Sequence, residues 1–273
     1  MLHRTTPDLD GPRDHDDLNA LDHALADGGV DDTTRRGLLR RAGIGAAAIG
    51  AAGALGPAAG SAFAQSGRKP STTALRTLAS AIATSEAFGV TFLTEAIRRA
   101  PGTPSAQFTD VLKAANTAEF DHIVGLRKLG GRPVTERFWI PDALFGGGGA
   151  GVFTSIEIVE NIEISAYLLA VTQFARAGQS TGARTLAAAM GVESEHRALA
   201  RFAQSALGNN RGVPDDRSFE AFPYRSAKQI QAAIASNGIG FGVQGKAPGK
   251  FYEYPGDPTK NGSGFANNIR RPQ

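Results

Sequence analysis

Histidine and glutamate recur in a spacing that could bind metal in the second part of this 273-residue chain. Only two histidines follow residue 64, His122 and His196. Each has a glutamate three residues before it, Glu119 in the run EFDH and Glu193 in the run ESEH. Residues three apart on a helix lie close together on one face. A carboxylate and an imidazole at this spacing can therefore bind the same metal ion.

Two further glutamates lie at matched distances from these pairs. Glu86 precedes Glu119 by the same 33 residues that separate Glu160 from Glu193. In two helical hairpins of equal size, this spacing would bring all four carboxylates to a similar depth. Glu160 has two close neighbours on its own helix, so an alternative ligand stays open there, either joining or replacing it: Glu157 or Glu163.

Four segments of about 25 residues have the apolar period of amphipathic helices, at 73–100, 105–129, 153–177 and 182–207. Short connections join the first to the second and the third to the fourth. About twenty residues, which include the only tryptophan, separate the second from the third. Two antiparallel hairpins joined by one long crossover form the ferritin-like arrangement. We therefore predict an all-α, ferritin-like four-helix bundle over residues 65–208.

The tail, residues 209–273, differs in composition from the helical segments. It is rich in Gly, Pro and aromatic residues, and its one short helical candidate is SAKQIQAAIAS at 226–236. Clusters of Gly and Pro interrupt regular structure. We predict an irregular tail that packs on the bundle or extends from it.

Residues 34–64 resemble a twin-arginine export signal. Arg35 and Arg36 precede a weakly apolar stretch rich in Ala and Gly, and a small-x-small cleavage sequence ends at Ala64. The resemblance implies export through the twin-arginine translocase and cleavage near Ala64, with no stable membrane span afterwards. The product would be extracellular, cell-wall-associated or periplasmic. The acidic residues 1–33 lack periodicity and are predicted to be disordered, so residues 1–64 form a leader.

Composition narrows the chemistry further. The chain has no cysteine, which excludes disulfides, thiolate metal ligands and cysteine nucleophiles. Any metal must be held by histidines and carboxylates. The formal net charge is only +3, and no basic stripe interleaved with aromatic residues occurs. Nucleic acid is therefore not a predicted partner.

The pattern of single glutamates and Glu-x-x-His pairs resembles the di-iron or di-manganese carboxylate site of ferritin-like proteins. The segments ENIEISAYLLA and GVESEHRALAR are also similar to exported bacterial ferritin-like proteins grouped with desiccation- or stress-related proteins. The resemblance implies six metal ligands: Glu86, Glu119, His122, Glu160, Glu193 and His196.

The same resemblance implies two bound Fe or Mn ions, with Fe favoured, and redox chemistry with O2, peroxide or Fe(II). Metal oxidation and peroxide removal are both compatible with it. Tyr167, seven residues after Glu160, lies on the same helix face. In a redox site it would hydrogen-bond residues around the ligands or carry a radical, and otherwise it is a core residue. The alternative function is a non-catalytic stress or desiccation protein on this scaffold. Whether the site turns over stays open here, and a homo-oligomer is a possible state.

Overall fold

A computed structural model describes residues 69–146, 150–209 and 218–265 of the chain. The predicted leader and export signal, residues 1–64, lie outside these ranges. Within them, no helix combines the length and the apolar character needed to cross a membrane. The four long segments predicted to be helical are helical and begin and end within a few residues of the predicted positions: α1 Thr72–Arg99, α2 Thr109–Lys128, α3 Ala150–Arg176 and α4 Ser180–Ala206.

Local signals explain where α1 begins and where the chain turns after it. The Ser71 hydroxyl accepts a hydrogen bond from the backbone N–H of Ala74 at 3.2 Å, which caps the helix. Gly102 has φ +77°, a left-handed conformation that other residues rarely adopt, and it reverses the chain. The predicted second helix does not begin at once, because residues Pro104–Phe108 form a 3₁₀ turn that leads into α2.

The long helices pack in two pairs, α1 with α2 and α3 with α4. Contacts between α1 and α3, and between α2 and α4, join the pairs. Buried apolar side chains of the helices form one core cluster, among them Leu78 of α1, Ile123 of α2 and Phe174 of α3. Burial of this apolar surface is the main term that stabilises the arrangement. The four helices therefore enclose a common interior.

A small antiparallel sheet joins the crossover to the tail. Strand β1, Arg137–Pro141, lies between β2, Gly240–Phe241, and β3, Gly249–Glu253. The buried ring of Phe138 on β1 packs edge-on against Phe88 of α1, with ring centroids 6.0 Å apart. The sheet thereby fixes the crossover against the outside of α1.

The tail is more regular than predicted. Its helical candidate is helix α5, Ala227–Ala235, which contacts α3 and α1. The two tail strands were not predicted, because β2 is only two residues long and its pairing partner lies about a hundred residues earlier in the chain. Local sequence patterns carry no information on such a distant pairing. The described residues are mostly helical, as predicted, with this small sheet in addition.

Candidate metal centre

The six predicted ligands lie in the interior of the four long helices. Helices α1 and α3 each contribute one glutamate, and α2 and α4 each contribute a Glu-x-x-His pair. The carboxylate residues are almost completely buried, and the two imidazole side chains are only 10% and 7% exposed. Each of these side chains is placed by a helix whose apolar neighbours anchor it in the core.

The structure brings the six residues together in two overlapping groups. In each group, one nitrogen or oxygen atom per residue lies within 4.8 Å of all the others. The first group is Glu86, Glu119, His122 and Glu193, and the second is Glu119, Glu160, Glu193 and His196. The two groups share Glu119 and Glu193. A carboxylate has two oxygens, so these two residues are able to serve two adjacent ions at once. That the six act as metal ligands stays a prediction.

Both imidazoles direct Nδ1 towards carboxylates of other helices. The Nδ1 atom of His122 lies 2.8 Å from Glu193 Oε1 and 3.4 Å from Glu86 Oε2. The Nδ1 atom of His196 lies 3.1 Å from Glu119 Oε1 and 3.6 Å from Glu160 Oε1. The contacts of His122 with Glu193 and of His196 with Glu119 cross between the helix pairs, so the polar centre links all four helices.

Burial among like charges shifts the titration of the carboxyl groups. Burial, together with the negative charge of Glu193, raises the pKa of Glu86 well above its ordinary value. The same two causes raise the pKa of Glu160, partly offset by its hydrogen bond with His196. The buried carboxylates of Glu86 and Glu160 are each repelled by the charge of Glu193. A cation between them would relieve that repulsion.

The pKa values of the two histidines and of Glu193 are shifted in favour of the charged forms. Burial alone would lower the pKa of His122, but the charge of Glu193 and a hydrogen bond with it outweigh burial and raise the pKa. For His196, burial is likewise outweighed by hydrogen bonds with its carboxylate neighbours, and the pKa is raised well above its ordinary value. Burial would raise the pKa of Glu193, but the two histidines lower it below its usual range. These shifts favour protonated imidazoles beside an ionised Glu193 when no metal is bound.

Several buried oxygens of the site lack a hydrogen bond. Among the described residues, Glu86 Oε2, Glu119 Oε2 and Glu160 Oε2 are fully buried and accept none. A buried polar atom without a partner costs roughly 1–3 kcal/mol, and more when it is charged. Carboxylate oxygens and imidazole nitrogens are ligands that suit Fe and Mn. The donor set and its unsatisfied oxygens therefore fit a pair of divalent ions.

Tyr167 contacts the site directly. Its hydroxyl donates a hydrogen bond to Glu86 Oε1, and the side chain is completely buried. Burial and the negative charge of Glu86 raise the pKa of Tyr167 well above its ordinary value, so it keeps its proton. Tyr167 is thus a core residue that also hydrogen-bonds a predicted ligand, and a role in metal chemistry stays a prediction.

The structure distinguishes the two glutamates that neighbour Glu160 on α3. Glu157 accepts a hydrogen bond from Gln204 Nε2 at 2.7 Å and takes no part in either group. Glu163 is buried beside the site, and its Oε1 accepts a hydrogen bond from Ser85 Oγ at 2.5 Å. Burial and the charge of Glu119 raise the pKa of Glu163 well above its ordinary value. Of the three glutamates, only Glu160 belongs to one of the two groups, and its role as the ligand on α3 stays a prediction.

One contributor was missed from the sequence. Gly89 lies one turn after Glu86, and a Cβ atom built on it would lie 3.3 Å from Glu119 Oε2. The missing side chain lets this shared carboxylate lie against the backbone of α1. A glycine in the middle of a long helix costs about 0.5–1 kcal/mol relative to alanine. A glycine in the middle of a helix is therefore the feature of the sequence that indicates a closely packed neighbouring group.

Comparisons of the chain with models of protein families, with curated proteins and with solved structures found no match. The chemistry of the site is therefore interpreted from its own residues. Four buried carboxylates and two imidazoles are enclosed by apolar helix faces. Together they form a donor set that is able to hold two cations away from bulk water.

Proposed function

We propose that this chain is an exported ferritin-like protein that holds a dinuclear Fe or Mn centre, with Fe favoured, and carries out redox chemistry with O2 or peroxide. The observation that carries the proposal is the overlap of two ligand groups at two shared carboxylates, Glu119 and Glu193. Neither a single-metal site nor a structural ion-pair network needs two ligand groups that share carboxylates. Two adjacent ions would use them, because each shared carboxylate has one oxygen for each ion.

The ferritin-like assignment is supported by the order and pairing of the helices. Short connections join α1 to α2 and α3 to α4, and a long crossover joins the two pairs. In ferritin-like proteins, two helices each provide one Glu and the other two each provide a Glu-x-x-His pair. The present chain has the same distribution over α1 to α4. The resemblance of its leader to a twin-arginine signal supports export.

The residues of the site have separate roles in this proposal. When bound, a pair of Fe or Mn ions would exchange electrons with O2 or peroxide. Glu86, Glu119, His122, Glu160, Glu193 and His196 would hold the pair, with Glu119 and Glu193 common to both ligand groups. The four carboxylates balance the charge of two divalent ions. Tyr167 holds a proton against Glu86 and fixes the orientation of that carboxylate.

A second candidate is a stress or desiccation protein that uses the same scaffold without turnover. It is favoured by the direct contacts between histidines and carboxylates, such as the 2.8 Å contact of His122 with Glu193. These contacts partly neutralise the site in the metal-free chain. In this candidate the polar centre serves to select one packing of the helices.

Metal content after purification tests the proposal. We expect the exported chain to hold about two equivalents of Fe or Mn, as a two-metal site requires. The double substitution Glu193→Ala and His196→Ala should reduce this to well below one equivalent. Glu195→Ala is the matched control, because Glu195 is exposed and belongs to neither group. If the wild-type protein folds normally but binds no metal even after incubation with Fe(II) and Mn(II), the dinuclear centre is excluded.

Turnover separates the two candidates. Fe(II) oxidation by O2 and consumption of hydrogen peroxide are measured on the loaded wild-type chain and on the two variants. Catalysis that is lost in the double variant and kept in Glu195→Ala supports the redox function. If the wild-type chain binds two ions but turns over no faster than the double variant, the second candidate is supported.

A further inference from the structure

A stretch of the tail crosses the outside of the helices next to the site. Residues 218–226, here called the strap, connect to α5 and have neither helical nor strand structure. On α3, the Ser165 hydroxyl donates a hydrogen bond to the backbone carbonyl of Ala221 at 2.9 Å. On α4, Glu220 accepts two hydrogen bonds from Arg197, one of them from Nη2 at 2.6 Å. The strap is thus tied to both helices of one pair.

The tie on α4 lies beside two proposed ligands. Arg197 follows His196 directly and comes four residues after Glu193, so it lies on nearly the same helix face as Glu193, one turn along. Only 6% of Arg197 is exposed. Ser194 also donates a weaker hydrogen bond to Glu220, at 3.3 Å. Glu220 therefore holds the stretch of α4 that surrounds the site.

The bond between Arg197 and Glu220 has a clear electrostatic reason. A buried guanidinium is costly unless a carboxylate accepts its hydrogen bonds, and the two-pronged pairing is the strong form of this contact. If the strap lifts, Glu220 leaves with it. Arg197 then favours a position in water, which opens the seam between α3 and α4 next to Glu193.

The strap lies near the surface along its length. Its residue Phe219 is 77% exposed, and Phe222 and Tyr224 are partly buried against the core. Segments with few buried contacts open at low free-energy cost. The hydrogen bonds at Glu220 and Ala221 fix this surface segment to α3 and α4.

We infer that the strap is a closure over the seam between α3 and α4, and that the Arg197–Glu220 pair is its latch. The latch sets the rate at which metal ions and small solutes pass between solvent and the site. The closure rests on the proposed function, because it regulates the same centre. Opening of the strap itself does not depend on whether the centre holds metal.

Two measurements on the full exported chain test the latch. The variant Glu220→Gln keeps the shape of the side chain and removes its charge. We expect excess EDTA to extract Mn(II) from it about tenfold faster than from the wild type, with the loaded stoichiometry unchanged. Amide hydrogen exchange of the strap and of residues 194–198 should also speed up about tenfold, with or without metal. Equal rates in both measurements would overturn the inference.

A matched control is available in another tail ion pair. Arg137 and Glu253 form a contact of 3.3 Å on the sheet, and Glu253→Gln should change neither rate. An acceleration as large as that of Glu220→Gln would contradict a specific latch. If Glu220→Gln does not fold, Ser165→Ala removes the other tie and should accelerate both rates several-fold. If wild-type protein binds neither Fe(II) nor Mn(II), the proposed function fails, and hydrogen exchange alone decides the closure.

Discussion

At the scale of single residues, the site depends on what is absent from one position as much as on its ligands. Gly89 provides the space in which the Glu119 carboxylate lies against α1. Glu119 is also one of the two residues common to both ligand groups. A small displacement of this carboxylate would therefore change the geometry at both proposed ions. The position of Glu119 is controlled from a different helix.

Substitution Gly89→Ala tests this control. The added methyl group would lie 3.3 Å from Glu119 Oε2, so the carboxylate must shift by a few tenths of an ångström. We expect Mn(II) affinity to fall about tenfold, while the stability of the metal-free chain changes by less than about 1 kcal/mol, because alanine favours the helix. Isothermal titration calorimetry and thermal unfolding measure the two effects.

Gly191 supplies the control for that experiment. It is exposed on α4, and a Cβ atom built there would meet nothing within 4 Å. Gly191→Ala should stabilise the chain by about 0.5–1 kcal/mol and leave Mn(II) affinity unchanged. Equal metal affinity in the Gly89 and Gly191 variants would show that Gly89 does not position Glu119.

At the scale of elements, the small sheet connects the tail to the outside of the helices. Phe241 on β2 packs edge-on against Phe138, with ring centroids 5.8 Å apart, and also contacts Phe88 of α1 at 6.3 Å. The only tryptophan, Trp139, donates a hydrogen bond from Nε1 to the carbonyl of Ala247 at 3.0 Å. The tail therefore contributes to the folded core, and Trp139 reports on its attachment.

Phe241→Ala should destabilise the chain by about 3 kcal/mol, because it leaves a cavity between the sheet and α1. Urea unfolding followed by Trp139 fluorescence measures the change. Phe219→Ala removes an aromatic ring that is 77% exposed and should change stability by no more than about 0.5 kcal/mol. Similar costs for both substitutions would mean that the sheet does not stabilise the helices.

The elements differ in how far the sequence predicts them. The four long helices follow from their apolar period, because each buries one face against the others. The convergence of Glu86 with Glu119 follows from equal spacing around a turn. The sheet does not follow, since Phe138 and Phe241 pair across a hundred residues. Gly89 stands out in the sequence, but its contact with Glu119 and the latch at Glu220 do not, because these partners are set by tertiary packing.

At the scale of the whole molecule, the buried carboxylates make stability depend on pH when metal is absent. Glu86, Glu160 and Glu163 have raised pKa values in the folded chain, so the folded state binds more protons than the unfolded state above their ordinary value of 4.5. Stability then falls as pH rises. The raised pKa values of His122 and His196 act in the same direction, since their contribution is complete below 6.5 and is lost as pH rises through the folded values.

Glu193 has the opposite effect on the pH dependence of stability, but only below the range of pH 5 to 8. Its pKa is lowered, so its contribution is present above 4.5 and is lost only in more acidic solution. Between pH 5 and 8, the Tm of the metal-free chain should therefore fall by several degrees. Mn(II) competes with protons for the same oxygens, so the increase in Tm on adding Mn(II) should grow over this range. A metal-free Tm that rises from pH 5 to 8 would contradict these shifts.

The dinuclear centre is tested most directly by anomalous X-ray diffraction from crystals of the chain loaded with Fe or Mn. We expect two anomalous peaks about 3.5–4 Å apart, with the carboxylates of Glu119 and Glu193 between them. One peak should adjoin Glu86 and His122, and the other Glu160 and His196. A single peak, or two peaks that do not share these carboxylates, would contradict this expectation.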